Sequence, residues 1–179
     1  MTRLWTGKGD DGTSGLLFGG RVAKSSARLD AVGTVDEAQA AIGVARAEVA
    51  RGTELDGLLV DAARDLWVLM AELATDPANR AKLEAGATLV TAEMVERLSA
   101  RVDEVGARFE PPHEFVVPGQ DRASALLDLA RTVVRRAERA ASAVADEGSF
   151  VVPYLNRLSS LLWTLARWVE GDPLTARRH

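Results

Sequence analysis

Residues Thr6–Gly20, TGKGDDGTSGLLFGG, gather six of the chain's fifteen glycines among hydroxyl and charged side chains. Glycine permits positive φ and lets backbone N–H groups approach an anion with no Cβ in the way. Thr6, Thr13 and Ser14 add hydroxyl donors, and Lys8, Arg21 and Lys24 add cations. Asp10 and Asp11 would repel a bare phosphate, yet they suit a hydrated Mg²⁺ or can tie the loop down. The chemistry this points to is the holding of a polyphosphate with its Mg²⁺. A mobile tail has the same composition and stays open as the plainer reading. Gly7-Lys8-Gly9-Asp10-Asp11-Gly12 matches G-x-G-x-x-G only formally, because no strand is read before it and no helix opens at its end. The Walker A pattern fails as well, with Thr13 standing after Gly12 where Lys is required.

A second set of charges lies far along the chain. Arg131, Arg135 and Glu138 follow one another at i, i+4 and i+7, so a helix puts them on one face, with Arg136 and Arg139 elsewhere around the cylinder. The row equally fits a solvated basic face with weak local ion pairs. In YLNRLSSLLWTLARWVEG, the residues Asn156, Ser160, Trp163 and Arg167 form a stripe opposite an apolar one, compatible with a ligand or with an interface. Asp36 and Glu37 sit in an otherwise small, apolar surface, and Thr34 to Glu37 has the form of a capping box.

These residues need a frame. Apolar positions at Val35, Ala38, Ile42, Ala45 and Val49 have helical spacing over 30–50, and Leu55 to Leu73 continue it over 55–75. A third helix runs from a Thr91 cap through Val105, a fourth over about 122–146, and a fifth over about 153–170 with Pro153 in its first turn. Residues 1–27, 76–90 and 109–121 have weak periodicity, and EFVVP is at most a short extended piece. The expected architecture is an all-α, five-helix up-and-down bundle, read as one domain over 1–179, with a leader at 1–27, the bundle at 28–170 and a tail at 171–179. Several helices have more apolar or small surface than one contact face requires, which suggests subunit association.

Composition removes other classes. The 179 residues include no cysteine, so disulfides, thiolate metal sites and a Cys nucleophile are excluded. His113 and His179 are the two histidines, too few for a His-based metal centre, and no metal site is expected. A net charge of −4 gives no basic field for nucleic acid or an anionic membrane. No apolar run reaches membrane-spanning length and no signal-peptide pattern opens the chain, so a cytoplasmic protein is expected.

The leader TGKGDDGTSGLLFGGRVAK, then RLDAVGTVDEAQAAIG, FVVPG, ARTVVRRAER and YLNRLSSLLWTLAR, in this order, resemble the PduO-type ATP:cob(I)alamin adenosyltransferases over nearly the whole chain. That resemblance implies a ferritin-like five-helix bundle assembled as a homotrimer with active sites between subunits. The reaction it implies moves the 5′-deoxyadenosyl group of ATP onto the cobalt of cob(I)alamin and releases triphosphate. Co(I) is itself the nucleophile, so no Ser, Cys or His is needed for that role. By the same resemblance Thr6, Gly7, Lys8, Gly9, Asp10, Ser14, Gly15 and Lys24 lie about the triphosphate. Arg135, Arg136, Glu138 and Arg139 complete the ATP–Mg²⁺ site, and Asn156 holds the nucleotide. Asp36 and Arg131 match a salt bridge between subunits. Phe115 matches the apolar side chain that displaces the lower axial ligand, leaving a four-coordinate cob(II)alamin to be reduced, although a plain core Phe remains the alternative. A cob(II)alamin reductase and an adenosylcobalamin-dependent enzyme are the implied partners.

The chain departs from the family pattern at definite places. Gly7 stands where Lys or Arg is usual, with Lys8 one residue later, and Gly15 replaces a Ser/Thr hydroxyl. Gln120 replaces the second glycine of PGG, Ala38-Gln39 replaces Leu-Asn, and Ser160 replaces an acidic residue. These departures keep a second reading open, a non-catalytic paralogue that binds corrinoid or ATP as a carrier or regulator. A bundle serving only in oligomeric assembly is the third.

Overall fold

The computed structural model describes residues 4–177; His179 lies outside the described residues. Helix α1 covers Ala27–Ala47, α2 Glu54–Leu73, α3 Ala92–Gly106, α4 Arg122–Ser142 and α5 Val151–Glu170. The local reasons are in the sequence. Ser26, Thr53, Thr91 and Asp121 each accept a backbone N–H of the first turn, satisfying a donor the helix leaves orphaned. Ser26 therefore caps α1, and Thr34 is not part of a capping box: it sits inside the helix with its hydroxyl donating to the Ala31 carbonyl at 3.0 Å. Helix α5 starts two residues earlier than Pro153 suggests, without a side-chain cap.

Helix α4 packs between α1 and α5, with α3 on α5 and α2 on α1. The 3–4 spacing is what fills the centre. Ala31, Val35, Ala38, Ile42 and Ala45 of α1 are buried, as are Leu127, Ala130, Val134, Ala137 and Ala141 of α4 and Leu155, Leu158, Leu162 and Leu165 of α5. Each buried Leu contributes about 1.5–3 kcal/mol. Tyr154 ties three helices together: its hydroxyl donates to Asp65 on α2 at 2.8 Å, and Arg97 on α3 donates to the same oxygen at 2.7 Å. Burial, then the Asp65 carboxylate, pushes the Tyr154 phenol well above its ordinary value.

The leader is not strandless. β1 (Thr13–Gly15) and β2 (Arg21–Ala23) form an antiparallel hairpin with Ser14 opposite Val22. Three-residue strands are too short to display a period of two, which is why the sequence hid them. Leu17 N–H donates to the Ala74 carbonyl at 2.8 Å, and Arg28 donates to the Leu73 and Thr75 carbonyls at 2.9 and 3.0 Å. The open end of α2 is thus closed by the leader and by the first turn of α1. The tail is likewise held. Val117 N–H donates to Leu174 O and Ala176 N–H to Phe115 O, both at 2.8 Å, so 174–176 line up along the extended piece that contains Phe115.

Glu72 organises the loops at this end. Its carboxylate, 3% exposed, accepts from Val90 N–H at 2.7 Å, Arg80 at 2.9 Å and Ser149 Oγ at 2.6 Å. It joins the 76–90 segment, which contains a 3₁₀ helix over Pro77–Lys82, to the turn between α4 and α5. Glu72→Ala strands buried donors in both loops and is expected to lower stability by about 1–3 kcal/mol. A urea unfolding midpoint equal to that of the unaltered protein would show that the loops hold without it.

Candidate functional site

Arg131, Arg135 and Glu138 lie on α4, and the face they share runs beside α5. Glu138 accepts from Asn156 Nδ2 on α5 at 2.9 Å, so the structure brings together two residues that the sequence separates by eighteen positions. Arg135 is exposed and, with Arg131, Ser160 and Trp163, lines a cleft of about 360 Å³. Among the described residues neither Arg135, in the row, nor Arg139, off it, has an ion pair, whereas Arg131 of the row pairs with Asp128. Arg136 points the other way and pairs with Glu37 on α1.

A larger cleft, about 690 Å³, adjoins the first. Its walls include Phe115, Val116 and Pro118 from the extended loop, Arg131 and Asp128 from α4, Trp163 and Arg167 from α5, and Ala176 and Arg177 from the tail. Phe115 is 89% exposed. It is not a core residue, and a large exposed apolar side chain at the mouth of a cleft is surface that a ligand or a partner can cover. Arg131 and Trp163 line both clefts and form the partition between them.

Sequence periodicity placed Arg167 on a polar stripe away from the core. The structure corrects this: Arg167 is 3% exposed and donates to Asp128 Oδ2 at 2.6 Å, with the Trp163 ring 5.9 Å from its guanidinium carbon. A buried guanidinium can persist there because a buried carboxylate neutralises it. Asp128 is the residue that sequence reasoning missed. The signal was available, a carboxylate inside the apolar run LLDLA three positions before Arg131.

In the leader, Arg21 clasps the loop ahead of it. Its guanidinium donates to the Lys8 carbonyl and to Thr13 Oγ1, and it pairs with Asp11 at 3.3 Å. Asp11 also accepts from the Thr13 hydroxyl at 2.8 Å and Thr13 N–H at 2.9 Å, and these bonds, with Arg21 beside them, hold its carboxyl below the usual range. Asp11 is therefore the aspartate that ties the loop down, while Asp10 is exposed. Gly7 has φ of +68°, and its carbonyl accepts from Asp10 N–H in a turn. A left-handed position at 7 explains glycine there, with the cation following at Lys8. Thr6 Oγ1 accepts from Lys8 N–H at 3.4 Å. At Gly9 a Cβ would stand 3.0 Å from Lys24 Nζ and 3.3 Å from the Thr13 carbonyl oxygen, so Lys24 lies directly against the loop. Ser14 and Gly15 are in β1, and a Cβ at Gly15 would meet nothing. Lys24 also lines a cleft of about 620 Å³ along α1 with Thr34 and Glu37.

Two groupings are not joined within the chain. Among the described residues no hydrogen bond or ion pair connects Thr6, Lys8, Asp10, Ser14 or Lys24 with Arg135, Arg139 or Asn156. Asp36 is exposed and has no ion pair among the described residues, while Arg131 bonds Asp128 through Nε at 3.1 Å. Nor do three His, Cys, Asp or Glu side chains among the described residues gather as a cation site.

Fold and site together define a helical bundle that presents one row of arginines to two adjoining clefts, with a glycine-rich cationic leader at one end. A family model described as cobalamin adenosyltransferase matches residues 4–169, and the chain belongs to that family. A corrinoid adenosyltransferase of Mycobacterium tuberculosis is 42% identical over 177 residues, covering 96% of this chain and 91% of that protein. Corrinoid adenosyltransferase PduO of Salmonella typhimurium is 36% identical over 172 residues, which span 94% of this chain and 50% of that longer protein. A solved variant PduO-type ATP:corrinoid adenosyltransferase from Lactobacillus reuteri, complexed with cobalamin and ATP, superposes with a TM-score of 0.87 at 23% identity, covering 98% of this chain and 97% of that one.

The clasp gives a measurable expectation. Arg21→Ala removes the donors that hold Lys8 and Thr13, so amide hydrogen exchange over residues 8–13 should rise roughly tenfold, each lost bond contributing about 1 kcal/mol. Exchange at the unaltered rate would mean that Arg21 does not hold the loop.

Proposed function

We propose that this protein transfers the 5′-deoxyadenosyl group of ATP to the cobalt of cob(I)alamin, giving adenosylcobalamin and triphosphate. The observation that carries the assignment to these clefts is the partition. Arg131 stands between a cleft walled by Phe115, suited to the flat apolar face of a corrinoid, and a cleft walled by Arg135 and Ser160, suited to a nucleotide phosphate chain. The two substrates are large, and a shared wall brings their reacting atoms close without either entering the other's space.

The residues take their roles from this arrangement. Co(I) attacks C5′ of ATP, the C5′–O bond breaks, and negative charge develops on the departing triphosphate. Arg135 and Arg139, without side-chain partners among the described residues, are free to meet that charge, and charge-assisted donors gain most as it grows. Glu138 and Asn156 hold each other and so orient the ribose side of the nucleotide site. Thr6, Lys8, Gly9, Asp10, Ser14 and Lys24 close over the triphosphate from the leader. Mg²⁺ arrives as the counter-ion of the phosphates and draws most of its ligands from them, since the chain offers Asp10 and Glu138 rather than a cation cage. Phe115 keeps the lower axial ligand of the corrinoid away from cobalt.

The separation of the leader from Arg135, Arg139 and Asn156 supports a site assembled from two chains. We take the single-domain, five-helix bundle to form a homotrimer, with Asp36 of one subunit reaching Arg131 of the next. Exposed Val44 on α1 and Leu129 on α4 add apolar surface to those helices. No helix among the described residues is long and apolar enough to cross a membrane. We take the enzyme to be cytoplasmic, served by a cob(II)alamin reductase and supplying an adenosylcobalamin-dependent enzyme.

The deciding experiment is an anaerobic assay with chemically reduced cob(I)alamin, ATP and Mg²⁺, following adenosylcobalamin by absorbance. Turnover is expected, and Arg135→Ala should lower kcat at least roughly 100-fold, as for a lost donor to developing charge. Binding of either substrate without turnover would instead support the carrier or regulator. Phe115→Ala should reduce the four-coordinate cob(II)alamin signal formed with ATP; an undiminished signal would remove Phe115 from the corrinoid site.

A further inference from the structure

Behind the partition lies a charge cluster whose buried members, Asp128, Arg167 and Glu170, the roles above do not use. We propose that Asp128 is a positioning residue for adenosyl transfer, fixing the Arg131 guanidinium in the wall shared by the two clefts. The inference rests on the reading that corrinoid and nucleotide occupy those clefts. Asp128 is 5% exposed, and its two oxygens serve different helices. Oδ1 accepts from Arg131 Nε at 3.1 Å within α4, and Oδ2 accepts from Arg167 Nη2 at 2.6 Å across the seam to α5. A carboxylate bonded at both oxygens to groups on two packed helices has no freedom to swing.

Arg167 is in turn held. Trp163 stands beside its guanidinium, and a Glu170 oxygen lies 3.0 Å from its Nε. Two guanidiniums and two carboxylates make a neutral island, so Asp128 is committed in charge as well as in geometry. Arg131 is different, because its side chain is 28% exposed and an arginine at such a position ordinarily samples several rotamers. The bond at Nε removes that freedom. It leaves the two terminal nitrogens, which have no hydrogen bond among the described residues, for a group supplied from outside the chain.

A purely structural cluster would neutralise Arg167 and nothing else, and the two roles separate by coupling. In the full-length protein, single-turnover adenosylation of cob(I)alamin by ATP–Mg²⁺ is measured for Asp128→Asn, Arg131→Lys and the double variant. Arg131→Lys keeps the charge, but its single ammonium cannot bond Asp128 and also present separate terminal nitrogens to the clefts, so the link from Asp128 to the wall is lost. Asp128→Asn is expected to slow the rate roughly 10- to 100-fold with KM for ATP changed less than about threefold, as for a misplaced group that acts at the reacting centre. In the Arg131→Lys background the same substitution should change the rate by less than about twofold, because the link is already broken. Additive losses, or an unaltered rate in folded Asp128→Asn, overturn the proposal. If Asp128→Asn fails to fold, Arg131→Lys alone decides: the same slowing is expected, and the unaltered rate overturns the link. Absence of turnover in the unaltered protein would overturn the reading beneath this one as well; turnover there with additive variants would sink only the role of Asp128.

Discussion

A positive charge buried at the seam of two helices is the constraint on which the rest of this structure turns. Arg167 cannot be left unpaired where it sits, and Asp128 is its partner from α4. That bond fixes which turn of α4 faces which turn of α5. Ten residues further along α4, about 15 Å at the helical rise, Glu138 meets Asn156, eleven residues back along α5. The two helices are antiparallel and carry polar ties near each end, Ser124 Oγ also donating to Glu170 at 3.5 Å beside the Arg167 bond. A slip of one turn breaks these ties at once and moves Arg131 and Arg135 off the clefts they line.

The leader depends on the bundle in a different way. Its hairpin is too small to stand alone, with three residues to a strand. It persists because Leu17 and Arg28 use carbonyls at the end of α2 that the helix cannot satisfy itself, and because Arg21 closes the loop internally. Glu72 immediately precedes those carbonyls and ties two further loops to the same point. A helix end with unmet acceptors has thereby become the anchor for a glycine-rich segment whose own N–H groups are largely used in its internal turns.

Structure also changes the weight of the departures from the family pattern. The unusual φ needed in the loop before α4 is at Gly119, +113°, and glycine is still there, so Gln120 loses nothing by being larger. Gly7 has its own reason, a left-handed turn that shifts the cation to Lys8. Gln39 reaches the Ala63 carbonyl at 2.7 Å and ties α1 to α2. Ser160 keeps its place beside Arg135 in the smaller cleft, its hydroxyl donating to the Asn156 carbonyl at 3.3 Å. Nothing in the structure accounts for Gly15.

Periodicity was enough to place the helices to within a few residues and to identify the faces that meet in the core, because an apolar position every three or four residues has one low-energy arrangement. The i, i+4, i+7 row on α4 was equally legible, since it depends only on local geometry. Pairing across elements was not. The sequence does not say that Asp128 finds Arg167, that Glu72 gathers two loops, or that the tail lies along Phe115, since each joins residues distant in the chain whose meeting depends on how the helices pack. Arg167 shows the difference most directly. Alone on its helix it reads as a surface cation; its burial depends on two carboxylates, Glu170 one turn on in α5 and Asp128 across the seam, and the second is supplied by tertiary structure.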